Sequence, residues 1–341
     1  MPRTRPAFRR CDAAEPENRP TLSAVVDLPR LRVAEDAPPL VAGAPEPRLI
    51  GVFDGLGGAG ARKVMGEDGS RSSAYYASRA ARGAALSVAQ SGPPHPRDGA
   101  RAAAVFASTI GHALAMRHGA AAAGSGRIRS TLLRSYPTTA ALLLFHPVPG
   151  GVTSLAMWAG DSRCYALTPA AGLQQLSSDD SLIPCDAMAA LQTDSPMNNM
   201  LTGDAPCRLA STAHLFAGPV VLLVATDGAF GCLPSPMHFE RLLLDALTSG
   251  GDIPQWQNTV SECLAANAVD DISIAVAFIG WRSLAHVAAD FAPRLAGLHE
   301  LLAPFDHAPE SRAASLLATA WSAYRADYMA RLPEAWSRPW L

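Results

Sequence analysis

The chain has 341 residues, 49% apolar and 17% charged, with a formal net charge of −2. That is enough apolar material for a core in one large domain or two smaller ones, and the charge gives no reason to expect nucleic acid or an anionic membrane as partner. Six cysteines, at 11, 164, 185, 207, 232 and 263, form no C-x-x-C pair, which fits reduced thiols in a cytoplasmic protein better than a disulfide framework.

The amino terminus, MPRTRPAFRR, is basic but lacks the apolar centre of a signal peptide, and no apolar run approaches the roughly 18 residues needed to cross a bilayer. Residues 1–22 carry Pro, Arg and Glu with little periodicity and read as a flexible tail. From Ser23 (SAVVDLPRLRVAED) strand-like pieces appear, interrupted by Pro29 and ending in the acid pair Glu35-Asp36. A Pro/Gly/Ala loop, APPLVAGAPEP, then leads into R-L-I-G-V-F-D-G-L-G-G-A-G, residues 48–60. Leu49, Ile50, Val52 and Phe53 suit a short strand buried on both faces. Asp54 arrives where the chain leaves that strand, and five of the next six residues are Gly or Ala, so the backbone can turn tightly and be approached closely.

Gly55, Gly57 and Gly60 also spell G-x-G-x-x-G, the dinucleotide fingerprint. Its context is wrong: Asp54 would set a negative charge against a pyrophosphate, and Ala74–Arg82 (AYYASRAAR) lacks the acid that should grip a ribose about twenty positions on. A dinucleotide enzyme stands as an alternative on that match alone. The other reading is a metal site, with Asp54 and the Gly55 carbonyl as hard oxygen ligands.

Ser70–Gln90 and Gly99–Arg117 read as Ala-rich helices separated by the breaker SGPPHPRDG. Thr138–Phe145 and Gly151–Ala159 form a hairpin signal around HPVPG. Gly160-Asp161-Ser162-Arg163 makes a sharp turn before a strand at Cys164–Leu167, and residues 170–215 read as irregular. Val220–Ala225 is a strand ending in Thr226-Asp227-Gly228, Met237–Ser249 and Gln255–Ala268 look helical, and Asp270-Asp271 precedes a last strand, Ile272–Ile279. Four times, then, an acid sits at a strand end: Asp54, Asp161, Asp227 and Asp270. Two like charges about 4 Å apart repel by roughly 4 kcal/mol at an effective dielectric near 20, so converging carboxylates need divalent cations or protons. Oxygen-only ligands favour magnesium or manganese over zinc.

VFDGLGG, GDSR, LSSDDS, ATDG and DDIS, in this order and spacing, resemble the metal-dependent serine/threonine protein phosphatases of type 2C (the PPM family, in its bacterial form) over roughly residues 23–280. The resemblance implies an α+β fold, a four-layer α/β/β/α sandwich of two antiparallel sheets flanked by helices, with a two-metal site at one edge. By motif match, Asp54 would bridge both Mn2+ or Mg2+ ions, the Gly55 carbonyl would bind one, and Asp227 and Asp270 would hold the other. Asp161 would help hold a third, weaker ion, Asp271 would stand behind Asp270, and Asp179–Gly203 would include a flap beside the site. The family's amino-terminal acid pair falls on Glu35-Asp36, although Arg32 is one residue closer than the pattern asks. A rival register on Arg19-Pro20 would put Ser23 and Ala24 where the acids belong and point to a pseudophosphatase. Leu56 stands where eukaryotic members carry a leaving-group His, as in many bacterial ones.

The resemblance implies hydrolysis of phosphoserine or phosphothreonine on a protein substrate by metal-activated water, with Asp54 and Asp227 central and Arg32, or Arg30, gripping the phosphate. A catalytically inactive binding module on the same fold is the alternative. Beyond Gly280, Ser283–Pro304 and Glu310–Leu332 read as a helical hairpin, a carboxy-terminal extension over 281–341. Trp321, Tyr324 and Tyr328 form an aromatic stripe that should pack on the core.

Overall fold

Successive side chains of a strand point to opposite faces, so a run that is apolar throughout needs cover on both. Several runs here are of that kind, and they stack two sheets face to face. The computed structural model describes residues 20–30, 34–43, 48–122, 134–182, 186–191, 196–249 and 251–332, without the side chains of 120–122. Of the expected tail at 1–22, residues 21 and 22 instead begin the strand Thr21–Leu28, while residues 1–19, Arg32 and the chain beyond 332 lie outside the described residues.

The first sheet has the order β1 (Thr21–Leu28), β12 (Ile272–Ile279), β11 (Val220–Ala225), β8 (Arg163–Thr168), β9 (Gly172–Gln175). The second runs β10 (Ala210–Ala217), β7 (Gly151–Ala159), β6 (Ala140–Val148), β3 (Leu49–Phe53), β2 (Ala37–Ala42). Every described pairing is antiparallel. Between the sheets, Ile50, Val52, Leu143, Phe145 and Trp158 meet Cys164, Leu222, Val224 and Ala275. The alternate residues of the same strands face outward. From the second sheet, Phe53, Leu142 and Leu144 pack against α1 (Ser73–Gln90) and α2 (Gly99–Ala122). From the first, Tyr165, Leu223, Ile274 and Phe278 pack against α5 (Pro236–Thr248) and α6 (Ile253–Ala265). A fully buried Leu, Val or Phe contributes about 1.5–3 kcal/mol, and three such layers supply the α/β/β/α sandwich with its stability.

The same outer face of the first sheet also receives α7 (Leu284–Asp306) and α8 (Glu310–Met329), through Val287, Phe291, Leu298, Leu302, Trp321, Tyr324 and Tyr328. Glu240 of α5, wholly buried, fixes them: Arg294 of α7 donates to it from Nε and Nη2 at 2.7 and 2.9 Å, and Tyr324 of α8 from Oη at 2.5 Å.

Three local expectations change. The segment expected as a Pro/Gly/Ala loop forms β2 instead, an edge strand where the missing N–H groups of Pro38 and Pro39 are tolerable. Residues 170–215 are not wholly irregular: they supply β9, the short α3 (Ala187–Ala190) and the edge strand β10. Ahead of α1, a hairpin of β4 (Lys63–Gly66) and β5 (Gly69–Ser72) takes residues 70–72 out of the expected helix, and Ser72 Oγ caps α1 by accepting from Tyr75 N. That hairpin also removes the dinucleotide reading. Gly60 opens no helix, and β3 lies between antiparallel neighbours rather than in a βαβ unit. No helix among the described residues is long and apolar enough to cross a membrane.

Candidate metal centre

Antiparallel pairing brings the ends of many strands to one edge. Phe53 closes β3 opposite Ala37 at the start of β2, Ala159 closes β7 opposite Ala140, and Ala225 closes β11 opposite both Ile274 and Arg163. Asp54, Asp36, Asp161, Asp227 and Asp270 each lie within two residues of one of these strand ends. Glu35, Asp54, Gly55, Asp161, Asp227 and Asp270 line a single cleft of about 590 Å3, together with Leu56, Met197, Met200, Val269 and Asp271. No Lys, Arg or His is among these lining residues.

Asp36 is placed differently from Glu35. It is buried beneath the cleft, accepts from Thr226 Oγ1 at 3.1 Å, and shares a hydrogen bond with Asp54. A hydrogen bond between two carboxyls needs a proton on one of them. Burial drives the Asp36 carboxyl up to about 7, against hydrogen bonds from Asp54, Ser273 and Thr226. Burial and then the charges of Asp36, Asp227 and Asp161 hold Asp54 well above the usual carboxylate range. Asp161 is pushed up to about 7 by burial and by Asp227 and Asp179, and Asp227 is raised by burial and Asp270.

The backbone around these groups is tightly fixed. Asp54 N donates to Thr139 Oγ1 at 3.2 Å, Thr139 N returns a bond to Asp54 O at 2.8 Å, and Thr139 Oγ1 reaches Ser162 Oγ at 2.7 Å, next to Asp161. Gly160 takes φ +95, turning the chain between β7 and Asp161 at a site where a Cβ would meet Thr139. A Cβ on Gly57 would collide with the Glu35 carboxylate, so only glycine lets that acid lie against the loop. Glu35 itself is clamped from both sides: its N–H donates to Asp271 Oδ2 at 2.8 Å and its carbonyl accepts from Ser78 Oγ at 2.6 Å. Asp271 Oδ1 takes the Arg30 N–H at 2.8 Å, so its two oxygens tie the 30–35 segment to the foot of β12 while Asp270 faces the cleft.

Arg163 of the GDSR motif, almost fully buried, binds Asp179 through two bonds of 2.8 and 2.6 Å and lies 4.3 Å above the Phe230 ring. It is therefore engaged away from the cleft. Asp180 accepts from Gly160 N and from Asn199 Nδ2, pinning both described ends of the expected flap. Residues 183–185 and 192–195 within it lie outside the described residues.

The donor set fits hard divalent cations. It is all oxygen and mostly carboxylate, no Lys, Arg or His lines the cleft, and Asp161 Oδ1 is buried with no hydrogen-bond partner. Among the described residues, no three His, Cys, Asp or Glu side chains are gathered closely enough to enclose an ion as they stand. Repelling carboxylates spread around a cleft behave in this way; their raised proton affinities come first from burial and then from neighbouring acids.

The sequence missed Ser78, Thr139 and Thr226, which hold the acids in place; only their nearness to strand and helix ends could have marked them. The rival register fails to bring Ser23 and Ala24 near the acids, because they pair with Ala277 and Val276 midway along β12. Arg30 is exposed beside Asp271, and Arg32 lies outside the described residues.

The sequence matches no protein-family model, and it matches no curated protein sequence. Solved structures do resemble it. The catalytic domain of the serine/threonine phosphatase PstP in complex with two manganese ions superposes with a TM-score of 0.53 at 19% identity, over 76% of this chain and 98% of that one. The Mycobacterium tuberculosis phosphatase PstP/Ppp gives 0.55 at 18% identity, over 76% and 99%. Stp1 from Staphylococcus aureus gives 0.54 at 15% identity, over 80% and 99%. The chain thus has the fold of the type 2C (PPM) serine/threonine phosphatases.

Proposed function

We propose that this protein is a divalent-metal-dependent phosphatase that hydrolyses phosphoserine or phosphothreonine on proteins. The observation that carries the reading is the convergence of Glu35, Asp54, Asp161, Asp227 and Asp270 from separate strand ends on one cleft of a type 2C fold. Two or three Mn2+ or Mg2+ ions bound there would lower the pKa of water and neutralise phosphoryl oxygens. The chain's own part is positional. Asp54, the Gly55 carbonyl, Glu35, Asp161, Asp227 and Asp270 would hold the ions. Asp36 would act from beneath, fixing the Asp54 carboxyl through their shared hydrogen bond. Thr139 and Ser162 hold Asp54 and Asp161 at a constant separation, as a site built on positioning requires. Leu56, on the cleft wall, can neither give nor take a proton, so leaving-group protonation falls to water.

A catalytically inactive binding module is the second reading, favoured by the carboxylates' failure to enclose an ion as they stand. The deciding experiment is calorimetric titration of chelator-treated protein with manganese, paired with hydrolysis of p-nitrophenyl phosphate before and after chelation. Manganese binding with chelator-sensitive turnover supports the phosphatase. Manganese binding without turnover favours the inactive module, and no binding at all removes the metal site itself.

A further inference from the structure

The cleft is larger than its acids require. Its volume of about 590 Å3 falls within the roughly 300–1,000 Å3 of pockets that enclose whole small ligands, so a phosphoryl group leaves much of it unfilled. Besides the acids and the small residues of the glycine loop, the lining is apolar: Leu56 on that loop, Met197 and Met200 on the segment returning to Leu201, and Val269 just ahead of Asp270. Val269 is 88% exposed. Leu56, Met197 and Met200 are half-buried, and the four share one cleft rather than standing singly on the surface.

The methionine wall is also fixed in place. Ser181 bridges to Met197, Asn198 N donates to Asp180 O at 2.8 Å, Asn199 Nδ2 donates to Asp180 Oδ2 at 2.7 Å, and Leu201 exchanges backbone bonds of 2.9 Å with Thr138. A bound chain would therefore meet a preformed apolar surface rather than one it must order. Methionine adapts its shape to different partners, so such a wall accepts a class of side chain rather than one residue.

We infer that Leu56, Met197, Met200 and Val269 form a specificity rim that selects phosphorylated segments with an apolar residue flanking the phosphorylated one. The inference rests on the phosphatase reading above.

It is tested with the full-length protein, manganese, and two phosphothreonine peptides carrying Leu or Ser on both sides of the phosphothreonine. The expected kcat/KM of the leucine peptide is about tenfold above that of the serine peptide, the discrimination a small apolar contact achieves. Val269→Ser, at an exposed position where folding is not at risk, should shrink the leucine-over-serine ratio about threefold, chiefly through KM. Equal kcat/KM for the leucine and serine peptides, or an unchanged ratio in Val269→Ser, would overturn the inference and leave the phosphatase intact. Failure to turn over any peptide or p-nitrophenyl phosphate would remove the phosphatase reading and the inference with it.

Discussion

Replacing Asp54 by Asn should make the metal-free protein more stable while abolishing its activity. Asp54 is held well above the usual carboxylate range by burial and by the charges of Asp36, Asp227 and Asp161. Asp36 and Asp161 are each raised from 3.8 to about 7. A pKa unit corresponds to roughly 1.4 kcal/mol, so the empty cluster costs the native state several kcal/mol at neutral pH. The sign follows from proton counting. The native carboxyls keep their protons to higher pH than unfolded ones, so the native state binds more protons between about pH 4 and 7, and stability falls as pH rises through that window. Asp54→Asn removes one charge from the cluster without changing its shape. It should recover about 2 kcal/mol at pH 8, raising Tm in EDTA by about 3 °C, with a smaller gain at pH 5. Saturating manganese should reverse the order, since the wild type gains about 2.7 kcal/mol at a hundredfold excess over Kd and the variant binds less. Activity should fall at least a hundredfold, roughly 3 kcal/mol of barrier. Calorimetric melts of both proteins in EDTA and in manganese read all of this, and an Asp54→Asn protein that melts below the wild type in EDTA at pH 8 would refute the reasoning.

Glu35→Ala should weaken manganese binding at least tenfold by titration calorimetry, whereas Ser23→Ala, at the rival register, should leave it unchanged; the opposite result would move the acid pair. Asp271→Asn keeps the shape but weakens the acceptors of the Arg30 and Glu35 N–H groups, at about 1–3 kcal/mol by denaturant titration, and a manganese-soaked crystal should show Asp270, not Asp271, on the ion. Arg294→Ala would leave the fully buried Glu240 carboxylate with only Tyr324 as partner and should cost about 3–5 kcal/mol; a change below 1 kcal/mol would mean the two terminal helices are not secured through Glu240.

The site was legible because its acids sit at the ends of runs whose apolarity is unmistakable: Asp54 after LIGVF, Asp227 after VVLLVAT, Asp270 just before ISIAVAFI. Where strands do not look like strands, the sequence misled. APPLVA holds two prolines, which only an edge position forgives, and ASTAHLFA alternates between half-buried and exposed residues along an edge that one neighbour pairs. Glu35 and Asp36 are adjacent and chemically alike, so nothing in the sequence separates the one on the cleft wall from the one beneath it. Neighbours in a strand-like segment point to opposite sides, and burial then gives them different tasks. Arg163 could be noticed through its motif, but its pairing with Asp179 depends on a loop closing sixteen residues later in the chain.

The first strand pairs with the last: Thr21 of β1 lies opposite Ile279 of β12 across a full eight-residue register. During synthesis β1 therefore leaves the ribosome long before β12, its neighbour in the sheet, exists. At roughly 5–20 residues per second the interval is on the order of ten seconds to a minute. Until then the first sheet lacks one border, and closing it late across so long a stretch of chain slows folding. The waiting strand is poorly suited to wrong partners. Proline flanks it at 20 and 29, Asp27 remains exposed near one end even in the folded protein, and its free side is met by Gln257 of α6, which donates to Val25 O. Those polar and proline residues act as guards for a nascent chain during the time when an unpaired edge is most open to aggregation.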